Sequence, residues 1–168
     1  IIPHVTNEIK RYINRNADTG ADVCLVEIGG TVGDIESQPF LEAIRQFAVE
    51  VGRENCLFIH VTLVPYLAAS DELKSKPTQH SVKEMLSIGI SPDIIVCRTE
   101  HPLTDDIRNK IALFCNVDKE CVIENNNCDI LYAVPMMLKE QHMDDVVIKK
   151  LGIKCGERDL ADWEHMLE

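Results

Sequence analysis

The sequence predicts a three-layer α/β fold, in which helices flank a mostly parallel sheet. Two observations predict it: short apolar runs rich in branched residues are typical of buried strands, and the segments between them carry apolar residues at a helical period. Strands and helices that alternate along one chain form right-handed crossovers between parallel strands. A length of 168 residues suits one compact domain with a sizeable core.

Four strands are predicted, over residues 23–27, 56–64, 93–97 and 121–124. The second is almost continuously apolar, as expected of a strand that helices cover on both faces. Pro65 ends this strand, and Arg98 stands at the carboxyl end of the third. In open parallel sheets, ligands bind at the carboxyl ends of the strands.

Helices are predicted around these strands. The first carries Val5, Ile9, Tyr12 and Ile13 on one face, with Pro3 near its first turn. The next three have N-caps and terminators at Ser37 and Gly52, at Thr78 and Gly89, and at Thr104, which Asp105 and Asp106 follow. Shorter helices are predicted over residues 133–141, 144–151 and 160–167, and residues 66–77 are interpreted as a polar loop.

Composition and charge exclude several classes of protein. A net charge of −11 argues against a general DNA- or RNA-binding protein, and no apolar run is long enough to cross a bilayer. The seven cysteines are odd in number and form no CxxC pair, which argues against a disulfide framework and a zinc site. Cys24, Cys56 and Cys97 lie in predicted strands, where we expect them to pack as small hydrophobic residues. A reducing, cytosolic setting follows.

Acidic residues stand on both sides of a glycine-rich turn. Glu27 ends the first predicted strand, so its carboxylate is either a magnesium ligand at the sheet edge or an acid satisfied by neighbouring amides. Asp34 and Glu36 follow the turn, where they either favour the start of a helix or bind a ligand. The glycines match neither GxGxxG nor GxxxxGKS/T, so they predict no phosphate-binding loop.

Basic residues form the second group of candidates. The segment KSKPTQ, residues 74–79, places two lysines and a rigid proline before a helix, which suits either an anion cradle or a solvated loop. Arg98 at a strand end and Lys110 on a helix suit either contact with a phosphate or base, or surface ion pairs. From the residues alone these alternatives stay open.

Five segments carry a resemblance to a known family. EIGGTVGDIES, LVPYLAAS, KSKPTQHSVKE, SPDIIVCR and NKIALFCNV, in this order and spacing, closely resemble the CTP synthase family, and the match covers essentially the whole chain. The resemblance implies the later part of the N-terminal synthetase (amidoligase) domain. It also implies a P-loop-NTPase-like or Rossmann-like architecture that is incomplete at its N-terminus.

The resemblance divides the chain into two parts. It implies that residues 1–152 are the C-terminal portion of the amidoligase domain, and that residues 153–168 are a linker and short helix leading toward an absent glutamine amidotransferase domain. The chain begins Ile-Ile-Pro, without initiator methionine or secretory leader, so we expect a piece of a longer polypeptide. By the resemblance, the P-loop-like segment with its ATP lysine and the second magnesium carboxylate belong to the absent part. The piece alone is therefore expected to be inactive.

The family makes CTP from UTP, ATP and either glutamine or ammonia, a step of pyrimidine biosynthesis. ATP phosphorylates the uracil 4-oxygen, and ammonia from the amidotransferase domain then displaces the phosphate. The resemblance implies a cytoplasmic ligase that uses Mg²⁺ and forms a homo-oligomer, a dimer or tetramer, without nucleic-acid or membrane partners. Two alternatives are a non-catalytic UTP- and CTP-binding oligomerisation module, and an incomplete fold that persists only as an oligomer or proteolytic remnant.

Site residues implied by the family motifs fall into three groups, and none is assigned a catalytic role. The magnesium ligand is Glu27. The UTP or CTP contacts are Asp34, Ile35, Glu36, Lys74, Ser75, Lys76, Pro77, Thr78, Gln79 and Lys110, with KSKPTQ acting across a subunit interface. The residues near ATP are Arg98, Asn126, Asn127 and Cys128. The family usually has threonine in place of Ser75, a difference that keeps the hydroxyl.

Overall fold

The structure is a computed structural model that describes residues 1–16 and 19–168. Its strands are β1 (Ile59–Leu63), β2 (Tyr66–Leu67), β3 (Glu72–Leu73), β4 (Ile94–Arg98) and β5 (Val122–Asn125). Its α-helices are α1 (Ile2–Asn14), α2 (Gln38–Val51), α3 (Lys76–Ile88), α4 (Asp105–Cys115), α5 (Val134–Glu140), α6 (Met143–Leu151) and α7 (Ala161–Leu167). Short 3₁₀ turns lie at Arg53–Asn55, Lys119–Cys121 and Leu131–Ala133. No helix in these ranges is both long and apolar enough to span a membrane.

A parallel three-stranded sheet forms the centre of the fold. Its strand order is β1-β4-β5, and Ile95 of β4 aligns with His60 of β1 and with Val122 of β5. Helices flank this sheet, which confirms the predicted α/β class with a parallel sheet. The separate β2-β3 pair is antiparallel and lies within residues 66–77, so a short hairpin replaces part of the predicted loop.

The chain divides into two compact units, residues 1–56 with 83–91, and residues 57–82 with 92–168. The second unit contains the sheet, and alternate residues of β4 face two separate hydrophobic clusters. Ile95 and Cys97 pack with residues of α3 and α4, whereas Ile94 and Val96 pack with Val146 of α6. Since side chains alternate between the faces of a strand, helices cover the sheet on both sides. This unit therefore has three layers.

The first unit is built on α1 and α2. The Lys10 side chain is mostly buried and forms an ion pair with Glu50 of α2. Leu41, Ala43 and Ala48 form the buried face of α2. Pro3 lies in the first turn of α1, as predicted.

The predicted strand over residues 23–27 is wrong. This segment belongs to neither sheet, and Leu25 is 90% exposed. A strand is stable only when a neighbour completes its backbone hydrogen bonds and covers its side chains, and strand propensity depends on that packing. Without a partner strand in the described residues, Cys24 is also exposed rather than packed, and of the three cysteines assigned to strands only Cys97 is buried.

Strand β1 is shorter than predicted and is not covered on both faces. His60 is buried, but Val61 is 65% and Leu63 58% exposed. The strand lies at the edge of the sheet, with β4 as its neighbour on one side. An apolar run therefore predicted a strand correctly but did not predict which of its faces is covered.

Helix boundaries agree with two of the predicted N-cap positions. The Thr104 hydroxyl accepts a hydrogen bond from the Ile107 amide (3.3 Å), as a side-chain cap does. Ser37 stands at the N-cap of α2, but its hydroxyl donates to carbonyls in the preceding turn instead. The prediction for Thr78 is wrong, because α3 begins at Lys76 and Thr78 lies inside the helix. Gly52 and Gly89 follow the ends of α2 and α3 with φ of 91° and 89°, a conformation that favours glycine.

Candidate functional site

The carboxyl end of β4 and β5 brings predicted site residues into contact. Arg98, the last residue of β4, donates from Nη1 to the Asn125 carbonyl (2.9 Å) and from Nη2 to Oδ1 of Asn127 (2.5 Å). The Thr99 amide also donates to the Asn125 carbonyl, at 3.2 Å. Two of the four residues expected near ATP, Arg98 and Asn127, are thus directly bonded to each other. Asn126 and Cys128 are neighbours in the same turn, and both are half-buried.

Glu124 is a further polar residue at this end of the sheet, and the sequence reasoning gave it no role. Its carboxylate accepts a hydrogen bond from the Leu103 amide (2.6 Å) and another from Nδ2 of Asn126. The Arg108 guanidinium lies 3.5 Å from the same carboxylate. The signal that could have found it is present, because Glu124 ends a predicted strand just as Glu27 does.

The KSKPTQ segment forms the start of α3, and half of it is part of the protein interior. Ser75 is buried, its hydroxyl accepts from Nε2 of Gln79 (3.0 Å), and its carbonyl accepts from the Gln79 amide (3.1 Å). Thr78 is fully buried and donates to the Leu63 carbonyl at 3.4 Å. Lys76 and Pro77 are exposed. Buried hydroxyls therefore fix the turn, and an exposed lysine stands at the helix N-terminus.

Two further lysines, Lys74 and Lys110, form exposed ion pairs in the second unit. Lys74 forms an ion pair with Glu72, and its hydrogen bond holds the pKa of Glu72 below the usual value. The Lys110 charge contributes to the same shift, and Lys110 itself pairs with Asp106 at 2.6 Å. The association of Lys110 with the KSKPTQ segment stays a prediction. These exposed ion pairs are weak, so an anionic ligand can compete for the lysines.

Glu27 lies in the first unit, on the irregular segment that precedes the glycine turn. Its carboxylate is exposed and forms no hydrogen bond or ion pair with the described residues. It borders a groove of about 800 Å³ whose walls are mostly apolar side chains of α1, together with Val26, Ile28 and Phe40. Those apolar walls offer few hydrogen-bond partners to a triphosphate, whereas the Glu27 carboxylate can serve as a metal ligand.

The acidic turn after Glu27 is ordered by backbone and hydroxyl contacts. Gly30 and Gly33 have φ of 91° and 101°, which allows the sharp bend. The Ser37 hydroxyl donates to the carbonyls of Thr31 (3.1 Å) and Asp34 (2.9 Å). Asp34, Ile35 and Glu36 are all exposed, with Ile35 at 83%. The turn holds their backbone in place and leaves the side chains accessible.

The predicted site residues are therefore distributed over both units. Glu27 and residues 34–36 belong to the first unit, whereas residues 74–79, 98, 110 and 126–128 belong to the second. Among the residues described, no three His, Cys, Asp or Glu side chains cluster as a metal centre. Mg²⁺ commonly takes only one or two protein carboxylates and completes its shell with water and phosphate oxygens. Glu27 suits such a site as one carboxylate ligand.

Comparisons with known proteins agree with the motifs. A family model described as "CTP synthase N-terminus" matches residues 1–153. The chain is 60% identical over 169 residues to "CTP synthase" of Pelotomaculum thermopropionicum and to that of Carboxydothermus hydrogenoformans, and 56% identical to that of Geobacillus kaustophilus. Each alignment covers 100% of this chain and 32% of the relative. The chain thus spans about a third of the length of these curated relatives.

Proposed function

Because the chain belongs to the CTP synthase family, we propose that it is the later part of the synthetase domain of a ligase that aminates UTP to CTP at the expense of ATP. The observation that carries the proposal is the strand-end cluster, in which Arg98 is bonded to Asn127 and to the turn after β5. Ligands of open parallel sheets bind at this end of the strands. Pyrimidine nucleotide synthesis is the pathway that such a ligase serves.

We assign the nucleotide sites by the family motifs, and the described geometry supports the assignment. ATP is contacted by Arg98, Asn126, Asn127 and Cys128. UTP, and CTP as the product that competes with it, is contacted by Asp34, Ile35, Glu36, Lys110 and the six residues 74–79. Lys74, which pairs with Glu72, and Lys110, which pairs with Asp106, both belong to the second unit, which supports an anion site there.

These residues suit phosphoryl transfer, which needs mainly positioning and charge neutralisation from the protein. When bound, Mg²⁺ neutralises phosphate charge, and Glu27 is the residue of this chain that would hold it. Lys76 is exposed at the start of a helix, where its charge and the free backbone amides attract phosphate. Asp34 and Glu36 are acceptors for donor groups of the pyrimidine nucleotide.

The remaining parts of the reaction belong to other regions of a longer enzyme. We propose that residues 1–152 are the C-terminal portion of a synthetase domain. Residues 153–168 then lead to an amidotransferase domain that delivers ammonia from glutamine. We further propose a homo-oligomer, in which the KSKPTQ loop acts across a subunit interface, and a cytoplasmic location. The seven free thiols support a reducing compartment.

Substitution of Glu27 tests the magnesium assignment in the full-length enzyme. Glu27→Ala is expected to lower the rate of CTP formation from UTP, ATP and ammonia by about a hundredfold or more, because a magnesium ligand is lost. Ammonia as the nitrogen source makes the result independent of glutaminase activity. Glu84→Ala is the matched control, since Glu84 is also exposed and unpaired among the described residues. Near-normal synthesis by Glu27→Ala would refute the assignment.

A second candidate function is a non-catalytic module that binds UTP or CTP and mediates oligomerisation. The observation that favours it is that all ten proposed pyrimidine-nucleotide residues occur in the chain, whereas no GxxxxGKS/T sequence does. Nucleotide binding without ATP turnover would distinguish this module from the ligase.

A further inference from the structure

We infer that Glu124 is a positioning residue that fixes the ATP-contacting turn, residues 126–128, against the loop that follows β4. The inference rests on the proposed function, because it takes Arg98, Asn126 and Asn127 as contacts of ATP. Glu124 itself is half-buried and its carboxylate is only 16% exposed, so it acts through its neighbours.

The main chain of Glu124 is held by a side-chain amide. Oε1 of Gln141 accepts from the Glu124 amide (2.7 Å), and Nε2 of Gln141 donates to the Glu124 carbonyl (2.5 Å). This is the pair of bonds that a neighbouring strand would make. Strand β5 lies at the edge of the sheet, so Gln141 supplies the missing partner where the strand ends. The backbone from which the turn departs is therefore fixed on both sides.

The carboxylate of Glu124 joins three segments of the chain. Oε2 accepts from the Leu103 amide (2.6 Å), in the loop that connects β4 to α4. Oε1 accepts from the Asn126 side chain, in the turn after β5. Arg108 of α4 lies 3.5 Å from Oε2 and also donates to the Val122 carbonyl. The side chain thus reaches the β4–α4 loop, helix α4 and the turn after β5 at the same time.

Glu124 also determines how the Asn126 amide is oriented. An ionised carboxylate only accepts hydrogen bonds, so the NH₂ group of Asn126 must face it. Oδ1 of Asn126 is left buried without a hydrogen-bond partner in the described residues, which is an unfavourable arrangement. The turn adopts this orientation because Glu124 imposes it.

Glu124 differs from Glu27 because both of its carboxylate oxygens already accept hydrogen bonds. Both carboxylates follow apolar runs, but that of Glu27 is exposed and unpaired in the described residues, whereas that of Glu124 is already shared among donors. A metal would have to displace these donors to bind Glu124. The inference is therefore that the length of the side chain, rather than its charge, is what the site requires.

Two substitutions in the full-length enzyme separate length from charge. Glu124→Gln keeps the length, offers its carbonyl to the Leu103 amide and its NH₂ group to Oδ1 of an Asn126 side chain turned by 180°, so its KM for ATP is expected to stay within about threefold of wild type. Glu124→Asp keeps the charge but cannot reach both partners, so its KM for ATP is expected to rise about tenfold. In both variants kcat with saturating ATP and the KM for UTP are expected to remain near wild type. Glu120→Gln and Glu120→Asp are matched controls, since Glu120 is exposed and pairs with Lys149 at the surface.

The outcomes separate this inference from the proposed function. A raised KM for ATP in Glu124→Gln together with a normal value in Glu124→Asp would mean that charge matters, and would overturn the inference. Equal increases in the KM for ATP and for UTP, or a loss of kcat alone, would overturn it too. Arg98→Ala serves as the reference in the same assay. If it raises the KM for ATP while the Glu124 variants do not, only the positioning role fails; if it has no effect, the proposed ATP site fails and the inference with it.

Discussion

The cysteines show how strongly burial changes the thiol pKa of residues of one type. Burial raises the pKa of Cys97 to about 12 and that of Cys115 to about 11, so both are protonated near neutral pH. A protonated thiol is a poor nucleophile, and neither residue suits covalent catalysis. Cys24 and Cys155 are exposed and lack this protection.

Alkylation of the folded 168-residue chain with iodoacetamide near neutral pH tests this difference. Cys24 and Cys155 are expected to react at least about tenfold faster than Cys97 and Cys115, because the thiolate and not the thiol attacks. Mass spectrometry of the digested protein measures the labelling of each site. Unfolding in urea is the control and is expected to equalise the rates. Early labelling of Cys97 in the folded chain would contradict its assigned burial.

At the residue scale, the sequence names candidate site residues through motifs, and their roles stay predictions; contacts between residues far apart in the chain leave no such signal. The family motifs selected Arg98 and Asn127, and the two side chains are bonded to each other. Glu124 was overlooked, although it also ends a predicted strand, because its role depends on Leu103 and Gln141, which lie 21 and 17 residues away along the chain. Sequence spacing carries no signal for such partners, so only the folded geometry identifies them.

At the scale of single elements, the two strands that follow residue 90 were predicted most closely, and the run 121–124 corresponds to the observed Val122–Asn125. β4 is central and fully covered, and its apolar run 93–97 corresponds to the observed Ile94–Arg98. Residues 23–27 have the same composition but no partner strand in the described residues, and they form no strand. The β2-β3 hairpin was missed because each strand has two residues and its turn contains Asp71 at a φ of 50° rather than a glycine. Composition thus indicates the capacity to form a strand, and pairing decides whether one forms.

Helix α3 provides a test of element anchoring. Thr78 is fully buried, donates to the Leu63 carbonyl at 3.4 Å, and accepts from the Thr62 hydroxyl at 3.3 Å. Thr78→Val keeps the shape but removes the hydroxyl, so we expect a loss of about 1 kcal/mol in the free energy of unfolding. Thr78→Ser keeps the hydroxyl and reports the cost of the missing methyl alone. Urea unfolding measures both, and an unchanged midpoint for Thr78→Val would show that these long hydrogen bonds contribute nothing.

At the scale of the whole molecule the fold class is confirmed, and the predicted site residues occur in both compact units. The α/β class was predictable because alternation of strands and helices is a property of the entire chain and tolerates one wrong strand. The residues proposed to contact the pyrimidine nucleotide follow no such pattern along the entire chain. Residues 34–36 belong to one unit, whereas residues 74–79 and 110 belong to the other. Each of these residues was selected by a short motif, so its contact with a nucleotide stays a prediction.

The last prediction concerns what the 168-residue chain does by itself. It spans about a third of its curated relatives and contains no GxxxxGKS/T sequence, so we expect it to bind CTP without hydrolysing ATP in the presence of Mg²⁺. Calorimetry with CTP measures the first property, and phosphate release from ATP the second. Lys76→Ala is expected to weaken CTP binding about tenfold, because an exposed lysine at a helix N-terminus is lost. Lys83→Ala, which removes an exposed lysine farther along α3, is expected to have no effect. Sustained Mg²⁺-dependent ATP hydrolysis by the chain would contradict this view, since the residues described here would then suffice for phosphoryl transfer.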